Sequence, residues 1–207
     1  MRPLPRLFAV TTDTICRAAD FGVRAAAVAA LGPAAALVVR APGGTTAQLT
    51  AFAERVTALA RPPEAAVIVH GRPDLSRALG AQGVQLRRDD LPPHEARRVM
   101  PKGWIGVSVH TRQDAEAAIA EGADYLVAGN VFETTSHPGR PARGVPWLAE
   151  LCSLGAPVVA IGGITADRAG AVKAAGAWGV AAITALWDAV DPAAAAVALA
   201  APWTAEA

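Results

Sequence analysis

The chain has 207 residues, 53% of them hydrophobic, and a mean hydropathy of +0.31. That is enough apolar side chain for one large core, and it excludes a chain that stays disordered. Nineteen Lys and Arg stand against eighteen Asp and Glu, a net charge of +1, so no electrostatic footprint marks nucleic acid or an anionic membrane as a partner. The two cysteines, Cys16 and Cys152, lie far apart and outside any Cys-x-x-Cys motif, which predicts free packing thiols rather than a disulfide or a metal site. The apolar stretch Leu7-Phe8-Ala9-Val10 is too short for a signal-peptide core, and the alanine-rich run 25–30 meets Gly32 and Pro33 before it could span a bilayer. The expectation is a cytoplasmic protein with no membrane partner.

Short apolar runs alternate with longer helical segments. Residues 7–10 read as the first strand, with Asp13 or Thr14 capping the following helix. Residues 36–39 form the second strand, and Thr45 or Thr46 opens a helix to about residue 59. The third strand, 66–69, leads to a short helix from Pro73; the fourth, 83–86, to a helix at 93–100. The fifth, 104–109, precedes a helix at 113–121 capped by Thr111. The sixth, 124–128, is followed by a polar loop, 129–144, and a helix at 145–151. The seventh, 157–161, has its helix at 166–175, and the eighth, 178–182, a last helix to about residue 199.

Strands alternating with helices predict a parallel sheet, and strands apolar throughout are those buried on both faces. Eight such units predict an α/β fold, a single (β/α)8 TIM barrel over residues 1–207. A doubly wound sheet is the alternative, but no G-x-G-x-x-G follows an early strand. The links Leu79-Gly80, Glu121-Gly122 and Ala175-Gly176 repeat one signature, a glycine just past a helix end.

Two segments carry most of the chemical signal. After strand seven, Gly162-Gly163 lets backbone approach a ligand closely, with a helix N-terminus behind. Ala182-Ile183-Thr184, after strand eight, is its natural partner, since (β/α)8 enzymes frequently bind phosphate at these two loops. A plain tight turn is the alternative. The loop 129–144 is too long for an ordinary link and brings Thr134, Thr135, Ser136, His137, Arg140 and Arg143 to the same barrel face. Hydroxyls there can donate to anionic oxygens, and arginines can pair with them. Ser108 and His110 share one face of strand five; Arg40 ends strand two, His70 ends strand three, and Asp89 and Asp90 follow strand four. A histidine can serve as general acid or base, and a carboxylate can hold Mg²⁺ on a diphosphate.

These stretches resemble the thiamine phosphate synthase/TenI family. The match runs through Val67-Ile68-Val69-His70-Gly71-Arg72-Pro73-Asp74-Leu75 and Gly83-Val84-Gln85-Leu86 with Asp90-Leu91-Pro92. It continues through Ile105-Gly106-Val107-Ser108-Val109-His110-Thr111, Gly122-Ala123-Asp124-Tyr125, Gly129-Asn130-Val131-Phe132-Glu133-Thr134 and Val159-Ala160-Ile161-Gly162-Gly163-Ile164. The resemblance implies one of two activities. A synthase joins a pyrimidine diphosphate to a thiazole phosphate with Mg²⁺ and releases diphosphate. A TenI-like tautomerase aromatises a thiazole carboxylate phosphate by moving a proton and needs no cofactor. In either case the implied partner is a small phosphorylated thiazole, resting on Gly163, Ile183 and Thr184 with Thr134 to Ser136 nearby. An assembly of identical copies, a homo-oligomer, is compatible with the chain.

The chain departs from both patterns. Pro42 stands where the synthase has a lysine, His70-Gly71 where it has Asn-Asp, and His137 where it has a loop lysine. Asp90 and Ser108 remain of that site, Asp90 being the metal ligand if the chain is a synthase. Phe132-Glu133-Thr134 and Arg140-Pro141-Ala142-Arg143-Gly144 look more like TenI, yet Asn130 replaces the tautomerase's histidine, and an amide cannot relay a proton at neutral pH. The expectation is therefore a TenI-like tautomerase in which His137 or His70 is the acid/base, Asn130 and Ser108 orient the ring, and Arg40 and Arg143 meet its anionic groups. The synthase is the alternative, and a non-catalytic protein that binds a phosphorylated ligand is the third reading.

Overall fold

The computed structural model describes residues 3–60, 64–134, 139 and 141–204. Eight strands are made by the eight apolar runs: β1 Leu7–Val10, β2 Ala35–Val39, β3 Ala66–His70, β4 Gly83–Leu86, β5 Trp104–Val109, β6 Tyr125–Ala128, β7 Val158–Ile161 and β8 Gly179–Ala182. All pair in parallel, in sequence order, and β8 returns to β1, so the sheet is a closed barrel. The predicted (β/α)8 barrel is the fold. Strand ends differ from expectation by one residue where local chemistry intervenes. Asp124 lies outside β6 because its carboxylate accepts the Ile105 N–H and binds Arg97. Pro157 has no N–H to give β7.

The period of two sorts each strand between two cores. Phe8, Val38, Ile68, Trp104, Tyr125 and Val159 belong to the cluster inside the barrel. Their neighbours Leu7, Leu37, Val67, Ile105, Leu126 and Val158 belong to the cluster shared with the helices. The same alternation fixes what reaches the C-terminal mouth. Arg40 is two residues past Val38, His70 two past Ile68, and Ser108 four past Trp104, so all three lie on the inner side. In register, His70 stands beside Gln85, Gln85 beside Gly106, and Gly106 beside Tyr125. This row crosses β3 to β6 just below the mouth.

The helices are α1 Asp13–Arg17, α2 Phe21–Ala29, α3 Thr46–Ala60, α4 Pro73–Ala78, α5 Pro93–Val99, α6 Arg112–Ala120, α7 Gly144–Cys152, α8 Ala166–Ala174, α9 Thr184–Trp187 and α10 Pro192–Thr204. Thr111 closes a capping box with Asp114 at the start of α6, as the sequence predicts. At α1 the cap is Thr12 rather than Asp13 or Thr14: its side chain accepts the Ile15 N–H, while Asp13 accepts the Gly43 N–H from the next loop. Each of Gly80, Gly122 and Gly176 has positive φ (65°, 92° and 92°), the left-handed helix stop expected of the repeated link. Among the described residues, no helix is long and apolar enough to cross a membrane. Cys16 and Cys152 are free and half-buried, and burial pushes both thiols up to about 11.

The barrel closes through a backbone contact. The Val180 N–H donates to the Arg6 carbonyl at 2.8 Å. A side chain on Gly179 would stand 2.3 Å from that same carbonyl oxygen. Arg6 lies 3.6 Å over the Trp178 ring and donates to the Trp178 carbonyl at 2.8 Å, while the Trp178 indole N–H donates to Leu4 O at 3.1 Å. Gly179→Ala must therefore push β8 from β1, since a backbone oxygen cannot turn aside. The expected cost is about 1–3 kcal/mol of unfolding free energy, the usual range for overpacking, read by denaturant titration against the unaltered chain.

Candidate active site

The mouth of the barrel is built from the residues that follow each strand. On the β7 side, Gly162 (φ 99°) and Gly163 (φ 62°) are both left-handed. The reason is the loop after β6. A side chain on Gly162 would stand 2.5 Å from Asn130 Cβ, and one on Gly163 2.3 Å from the Glu133 carbonyl oxygen. Val131 and Phe132 donate to the carbonyls of Ile161 and Gly162 at 2.9 and 3.0 Å, carrying the β6–β7 ladder into the loops. The glycine pair that the sequence reads as room for a ligand is thus first room for a neighbouring loop.

That packing also orients peptides. Arg168 donates to the Gly163 carbonyl at 2.7 Å and lies 4.8 Å over the Phe132 ring. A trans peptide points its N–H opposite its carbonyl, so the Ile164 N–H is turned away from Arg168. Beyond β8, Ile183 leads into α9, whose first N–H groups, on Thr184 and Ala185, have no acceptor within the helix. Thr184 is exposed. Ala182 gives backbone alone, because its side chain is buried toward the helix layer. Oriented peptide N–H groups on two adjacent loops can accept an anion.

The β2–β4 side is cationic. Thr11 accepts the Arg40 N–H at 2.9 Å and donates to the Arg40 carbonyl at 3.1 Å, which pins this residue at the mouth. Partial burial lowers the Arg40 pKa, with Asp13 acting against it. His70 is pushed down to about 4 by burial, then by the nearby Arg40. At neutral pH it is an uncharged imidazole, able to accept a proton. Asp90 is held by Arg87: its carboxylate takes the Arg87 backbone N–H at 2.7 Å and the guanidinium at 2.8 Å. It also lies 3.2 Å from where a Gly71 side chain would begin.

This arrangement bears on Mg²⁺, which the synthase alternative implies. Asp90, the expected ligand, has both oxygens on Arg87; Gly71 brings no second carboxylate; Arg40 and Arg87 add positive charge. Among the described residues no three His, Cys, Asp or Glu side chains gather as a metal site. The residues present do not fit a divalent cation.

Ser108 is half-buried at the mouth and accepts from Gln85 Nε2 at 3.0 Å. Asn130, expected to orient the ring, donates its amide to Phe132 O at 3.3 Å and so braces its own loop. Thr134 is half-buried in that loop. Arg143 is exposed, lies 5.1 Å over the Trp147 ring, and donates its backbone N–H to Asn130 O at 3.1 Å. Thr135, Ser136, His137 and Arg140 lie outside the described residues. Two residues of the matched stretches, to which the sequence assigned no role, also stand at the site. His110 Nδ1 donates to Gly129 O at 2.8 Å, which leaves Nε2 as the acceptor nitrogen in the neutral ring. It lines a cavity of about 350 Å³ with Gly129, Asn130, Pro141, Ala142 and Arg143. Gln85 is buried inside the barrel. The signal for each was present: His110 is two residues past Ser108, and Gln85 is polar within an apolar strand.

Comparisons with known proteins agree with this architecture. Residues 7–186 match the family model described as thiamine monophosphate synthase. The chain is 46% identical over 153 residues to a thiamine-phosphate synthase of Thermus thermophilus, covering 72% of this chain and 73% of that one. It is 41% identical over 196 residues to the thiamine-phosphate synthase of Chromobacterium violaceum, covering 94% of each. The solved thiamine phosphate pyrophosphorylase from Pyrococcus furiosus superposes with a TM-score of 0.80 at 34% identity, covering 94% of this chain and 93% of that one. A 3-hexulose-6-phosphate synthase, at 20% identity and a TM-score of 0.71, shares the fold. The match over nearly all of the barrel shows that this chain belongs to the thiamine monophosphate synthase family.

Proposed function

We propose that the chain is an enzyme of thiamine biosynthesis that takes a phosphorylated thiazole in the barrel mouth and moves a proton on it. One observation carries the choice of reaction: the Arg87–Asp90 pair, opposite Gly71, stands where a condensation would need a metal held on diphosphate. The phosphate rests on the peptides around Gly162 and Gly163 and those of Ile183 and Thr184, with Thr134, and with Thr135 and Ser136 of the same loop. Arg40 meets a second anionic group of the ring. Ser108 offers its hydroxyl to the ring, and Arg143 stands at the loop's return limb.

His70 serves as the base, with His137 the other histidine of the reading. A neutral imidazole lifts a proton from a ring carbon, the electron pair shifts through the ring, and a proton returns at the other end of the conjugated system. The base is regenerated and the ring is isomerised, with no other group gained or lost. Burial does most to hold the His70 pKa down and Arg40 adds to it; an anion on Arg40 offsets that second part, so binding makes the base stronger.

The second reading is the condensation for which the relatives are named. The identity of 41–46% to those synthases favours it, and by comparison alone it stands ahead. One experiment separates the two. The full chain is given a thiazole carboxylate phosphate, and separately a thiazole phosphate with pyrimidine diphosphate and Mg²⁺. Isomerisation without metal supports the proton shift. Diphosphate release that requires Mg²⁺ removes it in favour of the synthase. Binding with neither product leaves a non-catalytic ligand-binding protein.

Three further outcomes are expected. His70→Ala lowers kcat of the isomerisation by about 10²-fold or more, the usual weight of a general base, with a smaller change in KM; full turnover in this variant would remove His70 as the base. Gly163→Ala, which drives a side chain into the Glu133 carbonyl, weakens thiazole phosphate binding in a titration. The third concerns stability. The folded chain keeps His70 neutral down to about pH 4, whereas an unfolded histidine takes its proton near 6.5. The unfolded state therefore binds more protons within that window, and stability falls as pH drops through it. His70→Gln should flatten the slope of unfolding free energy between pH 6.5 and about 4, measured by denaturant titration at fixed pH values.

A further inference from the structure

The isomerisation takes a proton from one position of the ring and returns one at another. His70, on the β3 wall, accounts for the first. His110 stands on a different wall: it follows β5, two residues past Ser108. His70 is in register with Gln85, and Gln85 with Gly106, so the whole of β4 lies between the strands that carry the two histidines.

The His110 ring is held by a bond that decides its chemistry. Nδ1 lies 2.8 Å from the Gly129 carbonyl oxygen. A backbone carbonyl can only accept, so Nδ1 carries a proton whether the ring is neutral or charged. Nε2 is then the one ring nitrogen that can gain or lose a proton. The backbone is held as well. Its N–H donates to Asp114 at 3.3 Å, and the same carboxylate closes the capping box at the start of α6.

His110 also borders open space beside the phosphate cradle. It lines the cavity of about 350 Å³ together with Asn130 and Arg143. Asn130 joins that cavity to the β7 loop, since a side chain on Gly162 would stand 2.5 Å from Asn130 Cβ. A ligand on the Gly162 and Gly163 peptides therefore has the His110 cavity next to it. The charged groups around the imidazole are Arg143 on the loop limb and Asp114 on α6, with Arg88 of the β4 loop 3.6 Å from Asp114.

We propose that His110 is the second proton-handling residue of the isomerisation, returning a proton from Nε2 to the ring as His70 removes one. A C–H bond of the ring breaks and its proton passes to His70. The electron pair moves through the conjugated system and forms a new bond to the proton that the His110 imidazolium gives up. His70 is left charged and His110 neutral, its Nδ1 proton still on Gly129 O, and exchange with water resets both. No other group is gained or lost. This inference rests on the proton shift proposed above.

The test has two arms, and the first needs no ligand. The chain has four histidines, and ¹⁵N spectra of histidine-labelled protein, compared with those of His110→Gln, identify the His110 ring. Its Nδ1 should stay protonated across a pH titration while Nε2 gains and loses the proton; a proton lost from Nδ1 instead overturns the proposal. The second arm follows turnover of the thiazole carboxylate phosphate against pH. A base that must be neutral and an acid that must be charged give a bell-shaped profile. His110→Gln keeps a donor for Gly129 O but cannot exchange a proton. It should lower kcat about 10²-fold or more with little change in KM and abolish the alkaline limb, leaving the acid limb that His70 sets. A variant that turns over fully, or that is slow with both limbs intact as a merely structural role would make it, overturns the proposal. If the unaltered chain isomerises nothing, the reading of function fails and this inference falls with it. If the unaltered chain isomerises and His110→Gln matches it, only this inference falls.

Discussion

The structure depends on backbone meeting backbone where β8 returns to β1. A parallel barrel has no free edge only if its last strand reaches its first, and here that approach leaves no space for a side chain at position 179. The Arg6 carbonyl takes the Val180 N–H in that space, and Trp178 anchors the N-terminal segment beside it. Every loop of the mouth is placed by this closure. The β8 loop with Ile183 and Thr184 can neighbour the β7 glycines, and lie across from Arg40 and His70, only in a closed ring.

The mouth divides into two halves of different character. On the β6–β7 side the backbone does the work: a loop packs onto Gly162 and Gly163, Arg168 holds a carbonyl, and peptide N–H groups are turned outward. On the β2–β4 side the side chains do it. There a half-buried neutral histidine sits near Arg40 and Arg87, and the Asp90 carboxylate is paired with Arg87. A phosphate suits the first half. A second anionic group and a proton acceptor suit the other.

Much of this was legible in the residues. The eight apolar runs became the eight strands, because a strand buried on both faces must be apolar throughout and each run is too short for a helix of that length. The glycine after each of three helices adopts the left-handed stop that its spacing announces. Period-two alternation also put Arg40, His70 and Ser108 on the inner wall. What was not legible were the partners each side chain takes, even close by in the chain, as Arg87 with Asp90 three residues on. Asp90 reads as a free carboxylate until Arg87 folds back onto it. Asn130 lines the cavity beside His110, and its amide also donates to Phe132 O, a contact that the sequence does not announce. Gly162 and Gly163 read as space for a phosphate, whereas the neighbour that requires them is the loop carrying Asn130 and Glu133.

The sequence by itself determined the fold class and the family. These follow from local periodicity and from motifs, each written within a few adjacent residues. Only the tertiary structure decided that His70 is held uncharged beside Arg40 and that the Gln85 amide reaches Ser108. The physical reason is that charge state and hydrogen-bond partners depend on distances between strands. Those distances are set when the barrel closes, by groups far apart in the chain.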